Sequence, residues 1–139
     1  MGVTLEDDAR RYLAAFEDVT GAAGRDCVVR DERLLIVVAT GEMGEAIGSG
    51  GETIRRYERE VDRSVRLVED AEGPADFVAS ALAPAAVYNV TISENDDTVA
   101  YVEVAREDRG VAIGKDGWTI EAARTLAERH FGIDDVQLV

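Results

Sequence analysis

The sequence predicts an α+β protein made of two tandem copies of one small unit, each a three-stranded mixed sheet with helices on one face. A length of 139 residues suits one domain or two very small ones, so internal repetition decides between them. Two observations favour two copies. A short segment recurs at a constant offset, and each occurrence sits at the same place in the same order of helical and strand periodicities.

Gly44-Glu-Ala-Ile-Gly48-Ser-Gly-Gly51-Glu-Thr-Ile54 aligns without a gap with Gly110-Val-Ala-Ile-Gly114-Lys-Asp-Gly117-Trp-Thr-Ile120, at an offset of 66 residues. Seven positions match: the glycines 44/110, 48/114 and 51/117, then Ala46/112, Ile47/113, Thr53/119 and Ile54/120.

In the first copy, apolar residues at Leu5, Ala9, Tyr12, Leu13, Phe16 and Val19 have helical spacing from Thr4 to Val19. Thr4 followed by Asp7 suggests a capping box, and Gly21 suits the exit. Cys27 to Arg30 and Leu34 to Thr40 are strand-like runs around Asp31-Glu32-Arg33, a hairpin signal. A short helix from Glu42 to Ile47 meets the glycine loop, a longer one runs from Glu52 to Val61, and Val65 to Val68 closes the unit as a strand. The second copy repeats the order: helix 75–83, strands 87–93 and 99–104 around Asn95-Asp96-Asp97, helix 108–113, glycine loop, helix 118–130 and strand 136–139. Each last strand reaches the sheet through a helical crossover, so it should pair in parallel. The polar Gly/Pro segment around Glu69 to Pro74 reads as the connection. The units are expected over residues 1–69 and 74–139, with 70–73 as a linker too short for much independent motion.

Hydrophobic residues make up 46% of the chain and charged residues 32%, with only two prolines, so a packed core is expected rather than disorder. The longest charge-poor run, Gly73 to Val90, is interrupted by Asp76 and both prolines, which argues against a membrane span. The acidic N-terminus carries no signal or transit pattern. One cysteine and one histidine exclude an internal disulfide and the common Cys/His metal sites. Cys27 reads as a small core residue. A monomeric, cytoplasmic protein is expected.

Twenty-nine acids against fifteen bases give a formal charge of −14, which on its face argues against nucleic acid as a partner. Fourteen of the bases are arginine and only Lys115 is lysine. An acid-rich, lysine-poor, Ala/Val-rich composition resembles that of proteins from salt-accumulating cells. At molar salt the Debye length is ~3 Å, so a global negative field hardly repels an anion. Charge therefore does not decide the partner.

The glycine loops fail the enzymatic phosphate-loop patterns. The Walker loop needs four residues between Gly and Gly-Lys, then Ser or Thr; Gly110 to Gly114 encloses three, and Asp116 stands where the hydroxyl belongs. The dinucleotide fingerprint needs a third glycine and a preceding strand; Gly48-Ser-Gly-Gly51-Glu-Thr53 has neither. What remains is Ile-Gly-x-x-Gly-x-x-Ile, twice, between two helices. Such glycines let a backbone approach closely, and the helix that follows aims its N-terminal amides at the approaching chain.

The two motifs, each preceded by helix, strand, strand, resemble tandem KH domains of the prokaryotic type (type II). A chain of this length also resembles the archaeal NusA-like transcription termination factors in a haloarchaeal form, which correspond to the KH pair of bacterial NusA. The resemblance spans Thr4 to Val139. It implies a transcription factor that binds single-stranded nascent RNA in KH grooves of about four nucleotides and modulates termination or elongation, with RNA polymerase as a further partner. The residues it implicates are Ile47, Gly48, Ser49, Gly50, Gly51, Arg55 and Arg56 in the first copy, and Ile113, Gly114, Lys115, Asp116, Gly117 and Trp118 in the second.

The residues themselves add detail. From Gly48 to Arg66 five arginines face four acids, against the overall excess of acid. Arg55, Arg56, Arg59 and Arg63 form a helical stripe that either meets phosphates or serves as a solvated face with Glu52 and Glu60. The lone lysine sits in a loop that needs a flexible cation. Trp118 can stack on a base or pack on its own domain, the commoner use at a helix start. Ile47, Ile54, Ile113 and Ile120 read as core anchors with part of their surface in the groove wall. Tyr57, Tyr88 and Tyr101 read as core or domain-interface residues.

KH loops commonly hold a basic residue between the glycines, whereas the first loop here has Ser49-Gly50 and the second adds Asp116 to Lys115. These departures support an alternative: a module docking on RNA polymerase or the ribosome, with vestigial RNA grooves. No acid/base or nucleophile–base constellation has defensible spacing, and His130 sits near a helix C-terminus where its proton suits the dipole. No enzyme activity, cofactor or metal is expected.

Overall fold

The structure is a computed structural model and describes residues 5–139. The chain divides into two compact units, one ending at Asp70 and one starting at Ala71. The first runs α1 (Asp7–Thr20), β1 (Gly24–Arg30), β2 (Arg33–Val38), α2 (Met43–Ile47), α3 (Glu52–Val61) and β3 (Ser64–Glu69), with a 3-10 turn at Ser49–Gly51 between α2 and α3. The second runs α4 (Pro74–Ala81), β4 (Val87–Glu94), β5 (Thr98–Val104), α5 (Arg109–Ile113), α6 (Trp118–Phe131) and β6 (Asp135–Leu138). Short 3-10 turns at Arg106–Asp108 and Lys115–Gly117 flank α5.

Both sheets have the expected mixed topology. In each, the first two strands pair antiparallel and the last pairs in parallel with the middle one, β2 with β3 and β5 with β6. The middle strand is the best buried. Alternation places Leu34, Ile36 and Val38 in the cluster under the helices, while Leu35 and Val37 point the other way and are also buried. An unbroken apolar run from Leu34 to Ala39 is the signature of such a strand.

Helix α1 buries Ala9, Leu13, Phe16 and Thr20 on one stripe and ends at Gly21, whose φ of 75° makes the left-handed exit. The Thr4–Asp7 capping box lies outside the described residues at its Thr4 end. The described helix begins after Glu6, which makes no side-chain cap. Asp7 and Asp8 supply negative charge to its first turn. Strand β1 starts at Gly24 rather than Cys27, because polar Arg25 and Asp26 hide it in the sequence. A side chain at Gly24 would put its Cβ 2.3 Å from Leu13, so α1 packs against this strand only over a glycine.

The first core holds Phe16 edge-on to Tyr57 at 5.4 Å, with Cys27 buried beside them as expected. Tyr57 donates its hydroxyl to the Tyr12 carbonyl at 2.7 Å, and burial pushes its phenol pKa up. The second core gathers Phe77, Leu126, Ile133, Val102 and Val136. Phe77 touches Phe131 and His130 at centroid distances of 5.2 and 5.5 Å. Tyr88 corrects the core expectation: it is 68% exposed, because the β-bulge between Val87 and Asn89 turns it outward. Tyr101 is exposed as well, on the sheet face away from Ala100 and Val102.

One strut recurs in both copies and fixes the short helix that precedes each loop. Glu42 and Asp108 stand at the N-cap positions of α2 and α5 without capping them. Their carboxylates instead accept the N–H of Ala23 at 2.9 Å and of Ala86 at 2.7 Å, at the entrance to β1 and β4.

Candidate nucleic-acid interface

Each loop is held between two helices by the same backbone. Gly48 and Gly114 have φ/ψ of 76°/174° and 81°/168°. Gly50 and Asp116 follow at 61°/20° and 57°/24°, and Gly51 and Gly117 at 78°/12° and 75°/11°. Three of every four loop positions are thus at positive φ, a region that costs most L-residues free energy. This explains Asp116. Asp is among the few non-glycine residues that adopt the left-handed conformation readily, so it fills the place of Gly50 without reshaping the loop.

The first glycine has a second reason to be glycine. A Cβ at Gly48 would lie 2.1 Å from Thr53 Oγ1, and one at Gly114 would lie 2.4 Å from Thr119 Oγ1. The threonine packs into the space that the glycine leaves and locks the loop onto the helix it opens. Sequence reasoning gave Thr53 and Thr119 no role, although their match within the repeat was the available signal.

The loop aims donors outward. Gly51 N–H bonds to Gly48 O at 3.1 Å and Gly117 N–H to Gly114 O at 3.0 Å, closing each turn. The N–H groups of Ser49 and Gly50, and of Lys115 and Asp116, find no acceptor among the described residues. They sit just before the N-termini of α3 and α6, where the helix dipole also favours an anion.

The isoleucines that flank the loops, expected as core anchors with part of their surface in a groove wall, divide into two pairs. Ile47 and Ile113 are 39% and 41% exposed, which corrects the core-anchor half of their reading and leaves the surface they were also expected to offer. Neighbouring helical residues point in different directions, and it is Ala46 and Ala112, both fully buried, that anchor α2 and α5. Ile120 is buried and Ile54 half-buried, so these two anchor the following helices as expected. An exposed isoleucine beside outward N–H groups offers both an apolar surface and a donor set.

The charged candidates separate. Arg55 leans over the first loop, with Nη1 2.9 Å from where a Gly51 Cβ would lie, and pairs with Glu52 at 3.5 Å. Arg56 turns the other way and donates to the Val19 carbonyl at 2.8 Å, tying α3 to the last turn of α1. Arg63 donates to the Tyr12 hydroxyl at 2.9 Å and to the Asp31 carbonyl, with its guanidinium 5.4 Å from the Tyr12 ring centre. Arg55, Arg56 and Arg59 are all exposed and Arg63 is half-buried, but Arg56 and Arg63 are tied to other elements while Arg55 and Arg59 pair with Glu52 on their own helix. Arg66 is half-buried, and burial draws its pKa down. In the second loop Lys115 and Asp116 are exposed and Trp118, the first residue of α6, is half-buried.

Among the described residues no group of three or more His, Cys, Asp or Glu side chains could hold a metal ion, and no helix is long and apolar enough to cross a membrane.

Comparison with known proteins agrees with this geometry. Residues 10–72 match the KH domain family, and residues 74–138 match the NusA-like second KH domain. A protein of Halococcus morrhuae named probable transcription termination protein NusA is 60% identical over 99% of both chains. One of the same name from Halobacterium salinarum is 58% identical over 99% of both. These haloarchaeal relatives accord with the acid-rich, lysine-poor composition. The crystal structure of APE1850 covers 97% of this chain and 100% of its own, with a TM-score of 0.86 at 26% identity. Two KH units of the prokaryotic type, matched from end to end by such relatives, place this chain in the NusA-like family of tandem KH proteins.

Proposed function

We propose that this protein binds single-stranded RNA of the nascent transcript through its two KH grooves and thereby modulates termination or elongation, as the names of its haloarchaeal relatives suggest. The observation that carries this reading is the repeated loop. In two copies with different side chains, the same backbone leaves two N–H groups facing outward beside an exposed isoleucine. Phosphate oxygens suit the donors, and unstacked bases suit the aliphatic wall. Both contacts survive in concentrated salt better than a pure charge attraction does. Binding through few phosphates gives a shallow salt dependence, near −0.7 per contact for single strands.

A second reading keeps the fold and drops the RNA: a module that docks on RNA polymerase or the ribosome. The absence of a cation from the Ser49-Gly50 loop, Asp116 in the other, and the net charge of −14 favour it.

Fluorescence anisotropy with labelled uridine-rich, adenine-rich and random single strands distinguishes the two, in roughly 2 M KCl where exposed charges are screened within a few ångströms. The RNA reading expects saturable binding that falls with Ser49→Asp or Lys115→Asp, with folding checked by circular dichroism. A folded wild type that binds none of the pools moves the assignment to the docking module.

A further inference from the structure

Arg59 takes no part in the first loop, yet it shares a face of α3 with Arg55, one turn further on. The two guanidinium groups are served by one carboxylate, Glu52, at 3.5 Å from Arg55 and 3.6 Å from Arg59. Both arginines line a cleft of about 520 Å³ that runs from Arg55 to the turn between α3 and β3. The other charges of that cleft are engaged or stand at its far end. Glu58 accepts the Val65 N–H at 2.9 Å, and Arg63 is held by Tyr12 and Asp31. Asp62, which ends α3 in a left-handed conformation, and Glu32 close the cleft.

We propose that this cleft is a phosphate subsite that lengthens the first RNA groove by one nucleotide, with Arg59 as its contact. The inference rests on the RNA-binding reading above. Residues four apart on a helix are separated by about 6 Å along its axis, a distance on the scale of one step of an extended single strand. A strand whose phosphate meets the loop N–H groups and Arg55 thus presents its next phosphate to Arg59. Glu52 neutralises one of the two cations and leaves one for the strand, in a segment that runs against the chain's net charge of −14. Glu32 and Asp62 repel a further phosphate and limit the extension to a single step. The second copy has no such subsite, because Glu121 and Thr125 occupy the positions of Arg55 and Arg59 at the offset of 66.

The test is anisotropy with oligouridines of about four, five, six and eight nucleotides, four being the reach of one KH groove. A parent protein carrying Lys115→Asp, which weakens the second loop, is compared with the same protein carrying Arg59→Gln or Arg59→Lys. The parent should gain affinity about fivefold between four and five nucleotides, the scale of one screened charge-assisted contact, and then level off. Arg59→Gln should abolish that gain while binding of the tetranucleotide is kept, and Arg59→Lys should restore most of it. On the hexanucleotide the salt slope should fall by about 0.7 with Arg59→Gln, the loss of one single-strand phosphate contact. A gain that persists in Arg59→Gln, or a parent that shows none, overturns the subsite. Binding by the wild type but not by the parent also overturns it, because the first groove is then idle. No binding by the wild type at any length overturns the RNA-binding reading itself.

Discussion

The two loops are the same object in backbone and different objects in charge. At Gly48, Gly50 and Gly51 and their counterparts Gly114, Asp116 and Gly117 the dihedral angles agree within a few degrees. Yet the first loop holds no charged side chain and the helix after it carries Arg55 and Arg59, while the second holds Lys115 and Asp116 and has Glu121 and Thr125 at the positions of those arginines. The struts behind them differ in the same way. Glu58 ties α3 to β3 by accepting the Val65 N–H at 2.9 Å. Its counterpart Arg124 ties α6 to β6 by donating to the Val136 carbonyl at 3.1 Å and pairing with Asp135 at 3.0 Å. Geometry is held constant while the sign of the charge is free to change, so shape and not charge is what the repeat preserves.

The largest effects should fall where the copies agree. Gly48→Val and Gly114→Val each combine a clash with threonine and a positive φ, and each should cost about 3 kcal/mol in denaturant unfolding. Unequal losses would break the equivalence of the two loops. Gly50→Asp, by contrast, installs the residue that the second copy already carries in this conformation, and should leave the melting temperature within a few degrees.

A middle-sized effect is expected where the copies differ. Ser49→Lys should strengthen RNA binding and Lys115→Ser should weaken it, each by about three- to tenfold, as one exposed charge-assisted contact allows. Titration against one RNA on the two single variants and the double checks this. Opposite shifts that cancel in the double would show that the loops are interchangeable donors.

The smallest effect concerns the second strut. The Gln137 amide, helped by the Val136 N–H and Arg124, holds the Asp135 carboxyl below the usual carboxylate range. A lowered folded-state pKa contributes stability that is full above the unfolded value and is lost as pH falls through the folded one. Thermal melts on the acid side should therefore lose less stability in Asp135→Asn than in the wild type. At neutral pH the variant should be slightly the less stable. An acid limb unchanged by the substitution would show that this pair does not act on stability.

Much of the fold was legible because it is written in periodicity and repetition. The helix order, the parallel pairing of the last strands and the glycine loops all follow from patterns in one chain. What escaped is the direction of individual side chains. Ile47 and Ile113 match in the repeat just as Ile54 and Ile120 do, and the match alone does not tell which pair is exposed and which is packed. Arg56 sits between two candidate phosphate contacts in sequence and points instead to Val19, because the helical period separates it from Arg55. Tyr88 lies in a strand-like run, and only the bulge, which depends on pairing with β5, turns it outward. Asp116 looked like an electrostatic defect until its conformation was known. A backbone angle is invisible in composition.

That angle has a use in reading other genomes. A pattern written Gly-x-x-Gly treats both middle letters alike, but here the second of them sits at φ near 60° in both copies. Residues branched at Cβ are poorly tolerated there, and glycine, asparagine and aspartate are favoured. A search that leaves the first letter open and restricts the second to those three would reject chance matches that the looser motif admits. It would also separate two kinds of change during divergence: drift at the first letter can retune affinity, while drift at the second is confined to an alphabet of three.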